Sequence, residues 1–177
     1  MRGPVDLTRE LLGAEVLHEI VHLRRRIDDA VELPEALGVP LSSCVAVRLY
    51  AAGPGVVAAF VPPGAVPATT ALARAAGARG VRLLDPARVS EVTDCHPSLV
   101  PPVGLPSSVR VVADAALRES EVVFTATGDG STALKIRTDD LLAMTGAVVA
   151  PLVEPGAIDV RRLAESAWRD DPLAARL

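Results

Sequence analysis

Aromatic side chains are scarce in this sequence: among 177 residues only Tyr50, Phe60, Phe124 and Trp168 carry one. Half of the chain is hydrophobic all the same, and the bulk of that half is Ala, Val and Leu. Lysine is scarcer still, because 17 of the 18 basic residues are Arg and the exception is Lys135. Cys44 and Cys95 are the only cysteines. No apolar run approaches the roughly 20 residues of a membrane span. The first ten residues, MRGPVDLTRE, lack the continuous apolar core of a signal peptide, so both thiols are expected to be reduced. These absences point to a cytoplasmic protein without a membrane partner. An acidic balance, net −4, argues against tight non-specific nucleic-acid binding, which relies on many phosphate contacts. Arg24-Arg25-Arg26 is the obvious local exception, although such a run often only solvates a surface.

What is present suits one α+β domain over residues 1–152, followed by a helical appendage over 153–177. Asp6 or Thr8 can cap a first helix that stops at Gly13. A second helix suits Asp29 to Leu37, closed by Gly38. The runs CVAVRLYAA and VVAAFVP flank Gly53-Pro54-Gly55 and read as a hairpin. Helical ATTALARAAG and a strand at VRLL follow, and Asp85-Pro86 opens another helix that runs to about Thr93. After the loop DCHPSLVPPVGLP come strands at VRVVAD and EVVFTAT, then a strand within GDGSTALKIR. Thr138-Asp139-Asp140 caps DLLAMTG, AVVAPLV is the last strand, and IDVRRLAESAW is an amphipathic helix of the tail.

Three stretches invite a chemical reading. His18-Glu19-Ile20-Val21-His22 matches H-E-x-x-H, which on a helix holds zinc between two histidines with a glutamate as general base. The β-branched Val16, Ile20 and Val21, the preceding Gly13, and the alternation of Leu17, Val21 and Leu23 predict a strand instead. In a strand, residues four apart are separated by roughly 13 Å, too far to share one zinc at about 2.1 Å. Leu17, Val21 and Leu23 are then expected on one face, with His18 and His22 on the other. Neither metal nor organic cofactor is expected.

Cys95-His96 pairs a thiol with a base, but neighbours in an extended loop point apart, and Pro97 biases His96 towards extended geometry. Gly128-Asp129-Gly130 lacks the spacing of a phosphate-binding loop and is more simply a hairpin turn. The loop DCHPSLVPPVGLP, from Asp94 to Pro106, is the stronger candidate. Pro97, Pro101, Pro102 and Pro106 restrict it and remove four donors, so its remaining amides are held in place, as an oxyanion or ester-carbonyl site requires.

The order of these pieces, with TD-x4-LVPPVGLP and TGDGSTALKIRTDDLLAMTGA, resembles the YbaK/prolyl-tRNA-synthetase-associated family of aminoacyl-tRNA deacylases over roughly residues 10 to 150. The resemblance implies a mixed, strongly curved β-sheet packed with helices. It also implies a trans-editing hydrolase that cleaves the ester of mischarged tRNA, with aminoacylated tRNA as partner and Arg24, Arg25 and Arg26 as candidate contacts. The family loop reads like T-G-x-x-x-G-G-V-x-P-x-G. Thr93, Val100, Pro102 and Gly104 match it, whereas Asp94, Ser98 and Leu99 stand where the family has glycine.

Ser98, Leu99, Val100 and Gly104 are the implied catalytic positions. Thr93, Asp94, His96, Pro101 and Pro102 shape the substrate pocket, with His22 at a strand end beside it. Gly128 and Asp129 border it, with Thr125 and Thr127 as hydroxyl contacts. A family lysine in V-x-K-T/S-L falls here on Ala46 or Val47, and its loss is expected to weaken hydrolysis. Arg48 lies one step further, which from Val47 is the opposite face of the strand. The alternatives are a non-catalytic domain of the same fold that binds tRNA, an aminoacyl group or a protein, and a zinc hydrolase using HEIVH.

Overall fold

The computed structural model describes residues 3–154. The expected tail helix therefore lies outside the described residues, which include only the first two residues of the appendage expected over 153–177. Helix α1 spans Pro4–Gly13 and strand β1 spans His18–His22. A 3₁₀ turn at Ala30–Glu32 runs into α2 at Leu33–Leu37. The hairpin β2 (Cys44–Ala52) and β3 (Gly55–Val61) follows, then α3 (Thr69–Ala75), β4 (Arg82–Leu83) and α4 (Pro86–Thr93). Strand β5 (Val109–Asp114) precedes the second hairpin, β6 (Val122–Ala126) and β7 (Thr132–Arg137), and the chain closes with α5 (Thr138–Thr145) and β8 (Val148–Ala150).

All eight strands join one mixed sheet, ordered β1-β7-β6-β2-β3-β5-β8, with β4 added beside β2. Both hairpins are antiparallel, whereas β2–β6, β3–β5 and β5–β8 are parallel. The α+β class with a mixed sheet is as expected. Alternation along β2 separates two faces: Val45, Val47 and Leu49 enter the main core with Phe60, Val111 and Leu134. Tyr50 and Ala52 face the other way, onto the cluster beneath α3 with Val57, Ala59 and Leu72.

Several expected boundaries shift for local reasons. Helix α1 begins at Pro4, whose missing N–H costs nothing in a first turn, and the Asp6 carboxylate accepts from the Gly3 N–H at 3.2 Å. Thr138 does not cap α5: it lies inside the helix, its hydroxyl donates to the Ser120 carbonyl, and Arg137 takes the cap position without a side-chain bond. Buried Asp114 ties the end of the described chain to the sheet. Its carboxylate accepts from Ala116, Leu152 and Val153 N–H groups, which satisfies an otherwise costly buried charge.

Candidate active site

Strand β2 is continuous, but its second neighbour is not. On one side β3 pairs with it from Ala46 to Ala52. On the other side β6 reaches only Cys44 and Val45, and β4 only Tyr50 and Ala51. The Leu49 carbonyl accepts from Leu84 N–H on the β4 side. Backbone groups alternate along a strand, so the N–H and C=O of Val47 point to that same side, into the gap. A cleft of about 230 Å³ opens there, lined by Ala46 to Leu49, by Asp29 to Val31, by Pro97 and Ser98, and by Leu83, Leu84 and Val89 opposite. Val47 contributes backbone to the cleft, because its side chain is in the main core.

Ala46 and Arg48 are two residues apart and therefore share a face. Both line the cleft. Arg48 is thus a cation within the cleft, on the face of Ala46 rather than Val47, and not on the far side of the strand. Its Nε is buried without a hydrogen-bond partner, and no carboxylate pairs with it among the described residues.

The proline-rich loop is anchored by its own apolar residues. Leu99, Val100 and Val103 are buried, as are Pro101 and Pro102. Gly104 takes φ 79°, a left-handed conformation that glycine adopts without strain. Ser98 faces the cleft, and its carbonyl accepts from Ala30 N–H at 3.0 Å, which locks the loop to the 3₁₀ turn. Leu99 N–H donates to the His96 carbonyl at 3.0 Å, and Ser98 N–H makes a longer 3.4 Å contact with His96 Nδ1.

Thr93 and Asp94 act on the loop from outside the cleft. The Thr93 hydroxyl donates to the Val89 carbonyl and accepts from Cys95 N–H, closing α4. Asp94 has φ 55° and ψ 29°, the left-handed position that ends the helix. Aspartate tolerates it better than most residues, so the change from glycine is locally compatible. Cys95 is buried. Burial likewise pushes the Cys44 thiol up to about 12, as suits a core residue.

Other expected site residues lie elsewhere. His22 is exposed at the end of the sheet's edge strand, in register with Thr132, with β7 and β6 between it and β2, and does not line the cleft. The segment HEIVH is a strand, as expected. Ile20, on the face of His18 and His22, packs on the main core with Val16, whereas His22 at the strand end is exposed and Leu17 is 81% exposed. The reason is that β1 lies against β7 at the sheet margin, where only one face has core beneath it.

Gly128 and Asp129 form the expected β6–β7 turn, with Gly128 at φ 86°. This turn packs against the chain before the 3₁₀ turn rather than lining the cleft. Ile27 N–H donates to the Gly130 carbonyl at 2.8 Å, and a Cβ on Gly130 would lie 2.0 Å from the Ile27 carbonyl oxygen. Thr125 and Thr127 are fully buried, the latter bonded to the Thr132 hydroxyl at 2.7 Å. In the arginine triplet, Arg25 pairs with Glu32 and Glu35, and Arg26 lies 3.7 Å from Asp129. Desolvation raises the Glu32 carboxyl, but hydrogen bonds from Arg25 and from two backbone N–H groups outweigh it and leave it below the usual range.

Of the residues expected at a site from the sequence, Ser98, Ala46 and Val47 come together in this cleft. Sequence reasoning missed Asp29 in the cleft and placed Arg48 on the wrong face when counting from Val47. Asp29 could have been found as the cap of the turn it begins, its Oδ1 accepting from Val31 N–H.

Residues 25–144 match the aminoacyl-tRNA editing domain family. Comparison with curated proteins gives no match. Among solved structures, the hypothetical protein APE2540 superposes with a TM-score of 0.77 and 26% identity, covering 83% of this chain and 98% of its own. A protein described as a candidate trans-editing enzyme for prolyl tRNA synthetase gives 0.72 and 26%, over 84% of this chain and 92% of its own. A candidate signal transduction protein from Marinobacter aquaeolei VT8 gives 0.63 and 17%, over 86% of this chain and 31% of its own, and is alike in fold alone.

Proposed function

Because the chain belongs to the aminoacyl-tRNA editing domain family, we propose that it hydrolyses the ester joining an amino acid to the terminal adenosine of a mischarged tRNA. The observation that carries this reading is the cleft itself. The stiff loop at Ser98 and the unpaired stretch of β2 at Ala46 to Arg48 meet there, although some fifty residues separate them in sequence. Water attacks the ester carbonyl, the tetrahedral intermediate collapses, and the ribose hydroxyl leaves with the proton that water gives up.

Ser98, through its hydroxyl, and the Val47 N–H are the donors for the developing oxyanion, and one such donor contributes about 3–4 kcal/mol. Leu99, Val100 and Gly104 are positioning residues that hold Ser98 in place. Thr93, Asp94, Pro101 and Pro102 fix the loop ends and its buried floor, and His96 steadies the Ser98 amide. Among the described residues Asp29 is the one side-chain base that lines the cleft with Ser98, and the substrate's own 2′-hydroxyl is assigned the task of guiding the water.

The test is deacylation of a panel of mischarged tRNAs by the purified full chain. Release of at least one amino acid above the spontaneous rate, reduced about tenfold or more by Ser98→Ala, is the expected outcome. The second reading, a non-catalytic binding domain, draws on the Leu99 amide, which is engaged within its own turn. Tight binding of aminoacylated tRNA with no release from any member of the panel would favour it.

A further inference from the structure

Among the described residues two ionisable side chains line the cleft, Asp29 and Arg48, and they carry opposite charges. No ion pair joins them. The pairs found nearby use other partners, Arg25 with Glu32 and Glu35, and Arg26 with Asp129. Half-buried opposite charges that do not meet each other leave two separate demands in one cavity. Arg48 has a buried Nε with no acceptor. Asp29 caps the 3₁₀ turn through its side chain, Oδ1 accepting from Val31 N–H, and its carboxylate makes no ion pair among the described residues. A buried donor without an acceptor, such as the Arg48 Nε, is costly unless a ligand answers it.

We propose that the cleft recognises a dipolar ligand, with Asp29 taking a free ammonium group and Arg48 an anionic oxygen group. Resting on the deacylase reading, the ammonium is the α-amino group of the aminoacyl ester. Its position follows from the chain: Ala30 N–H is bonded to the Ser98 carbonyl, so Asp29 is fixed beside the residue assigned to the ester. The α-amino group is one carbon removed from that ester carbonyl. The anion is a second group of the same ligand, met where Arg48 lines the cleft from β2. A phosphodiester of the terminal nucleotide and a side-chain carboxylate of the amino acid share the required chemistry.

The experiment is calorimetric titration of the full chain with non-hydrolysable 3′-amide analogues of alanyl-adenosine 5′-phosphate. Acetylating the α-amino group is expected to weaken binding about tenfold or more, as loss of a charge-assisted hydrogen bond does. Asp29→Asn, which keeps a capping oxygen, is expected to abolish that difference. Omitting the 5′-phosphate is expected to weaken binding to a similar degree, and Arg48→Met to abolish that difference in turn. If the aspartyl analogue, not the phosphate, is what Arg48→Met affects, the anion is the side-chain carboxylate and the dipolar site stands.

Equal binding of free and acetylated analogues, unchanged in Asp29→Asn, overturns the inference. So does indifference of Arg48→Met to every anionic group offered. Mischarged tRNA that is hydrolysed regardless of N-acetylation sinks this inference alone. Analogues that bind with both dependences while no tRNA is hydrolysed sink only the deacylase reading.

Discussion

The β1 margin and the opening in β2 make an instructive pair. At the margin, His18, Glu19, His22 and Lys135 crowd two adjacent strands, as dense in chemistry as any part of the sequence. Yet Lys135 pairs with Glu19 at 2.9 Å, and His18 Nδ1 lies 2.8 Å from the Val16 carbonyl. At the opening, the sequence CVAVRLY offers one polar side chain of note. There β2 lacks a second strand over Ala46 to Leu49, and the Arg48 Nε is buried without a hydrogen-bond partner. The proposed site follows unmet pairing, not the density of reactive residue types.

The comparison breaks most visibly if a lysine is restored to β2. Val47 points into the main core and Ala46 into the cleft. Val47→Lys is therefore expected to destabilise the fold by at least about 3 kcal/mol in chemical denaturation, because it buries an unpaired ammonium. Ala46→Lys is expected to stay within about 1 kcal/mol and to raise deacylation if a second cation helps. Equal losses from the two substitutions would mean that the strand's faces are misassigned.

Gly130→Ala comes next. Its added carbon meets the Ile27 carbonyl, so the chain carrying Asp29 must shift, at a cost of roughly 2–3 kcal/mol. An unchanged unfolding midpoint would mean that this turn does not brace the wall of the cleft.

Much of this architecture is legible in the residues. Asp85-Pro86 opens α4 and VRVVAD is β5. Both hairpins fall where Gly-rich turns predict them, because those signals are local. The HEIVH strand is legible for the same reason, but its buried face is not. Periodicity gives two faces and leaves open which one has a core beneath it. The proposed site follows the same division: Ser98 and Ala46 can be named in advance, whereas Asp29 and Arg48 come to one cleft only through the break in pairing beside β2. No window of sequence contains that break.

A smaller effect concerns acid. The Glu32 carboxyl is held below its usual range in the folded chain, so the stability it contributes is present above its unfolded value, near 4.3, and is lost as pH falls through the lower folded value. Glu32→Gln is expected to cost less than about 1 kcal/mol at neutral pH, with the gap to the natural protein closing below about pH 4. A gap that widens in acid would reverse the sign of this coupling.

The smallest effects are expected at the margin, where His18→Ala and His22→Ala should change stability by no more than about 0.5 kcal/mol. Stoichiometric zinc on the purified protein, lost in either variant, would restore the metal reading of HEIVH.

One measurement tests the central claim directly: initial deacylation rates on a mischarged tRNA at fixed salt, since tRNA binding itself depends on salt, for the natural chain, Arg48→Met and His22→Ala. The account predicts hydrolysis by the natural chain, a loss of about tenfold or more in Arg48→Met, and no change in His22→Ala. Full activity in Arg48→Met together with loss in His22→Ala would move the site to the sheet margin and contradict it.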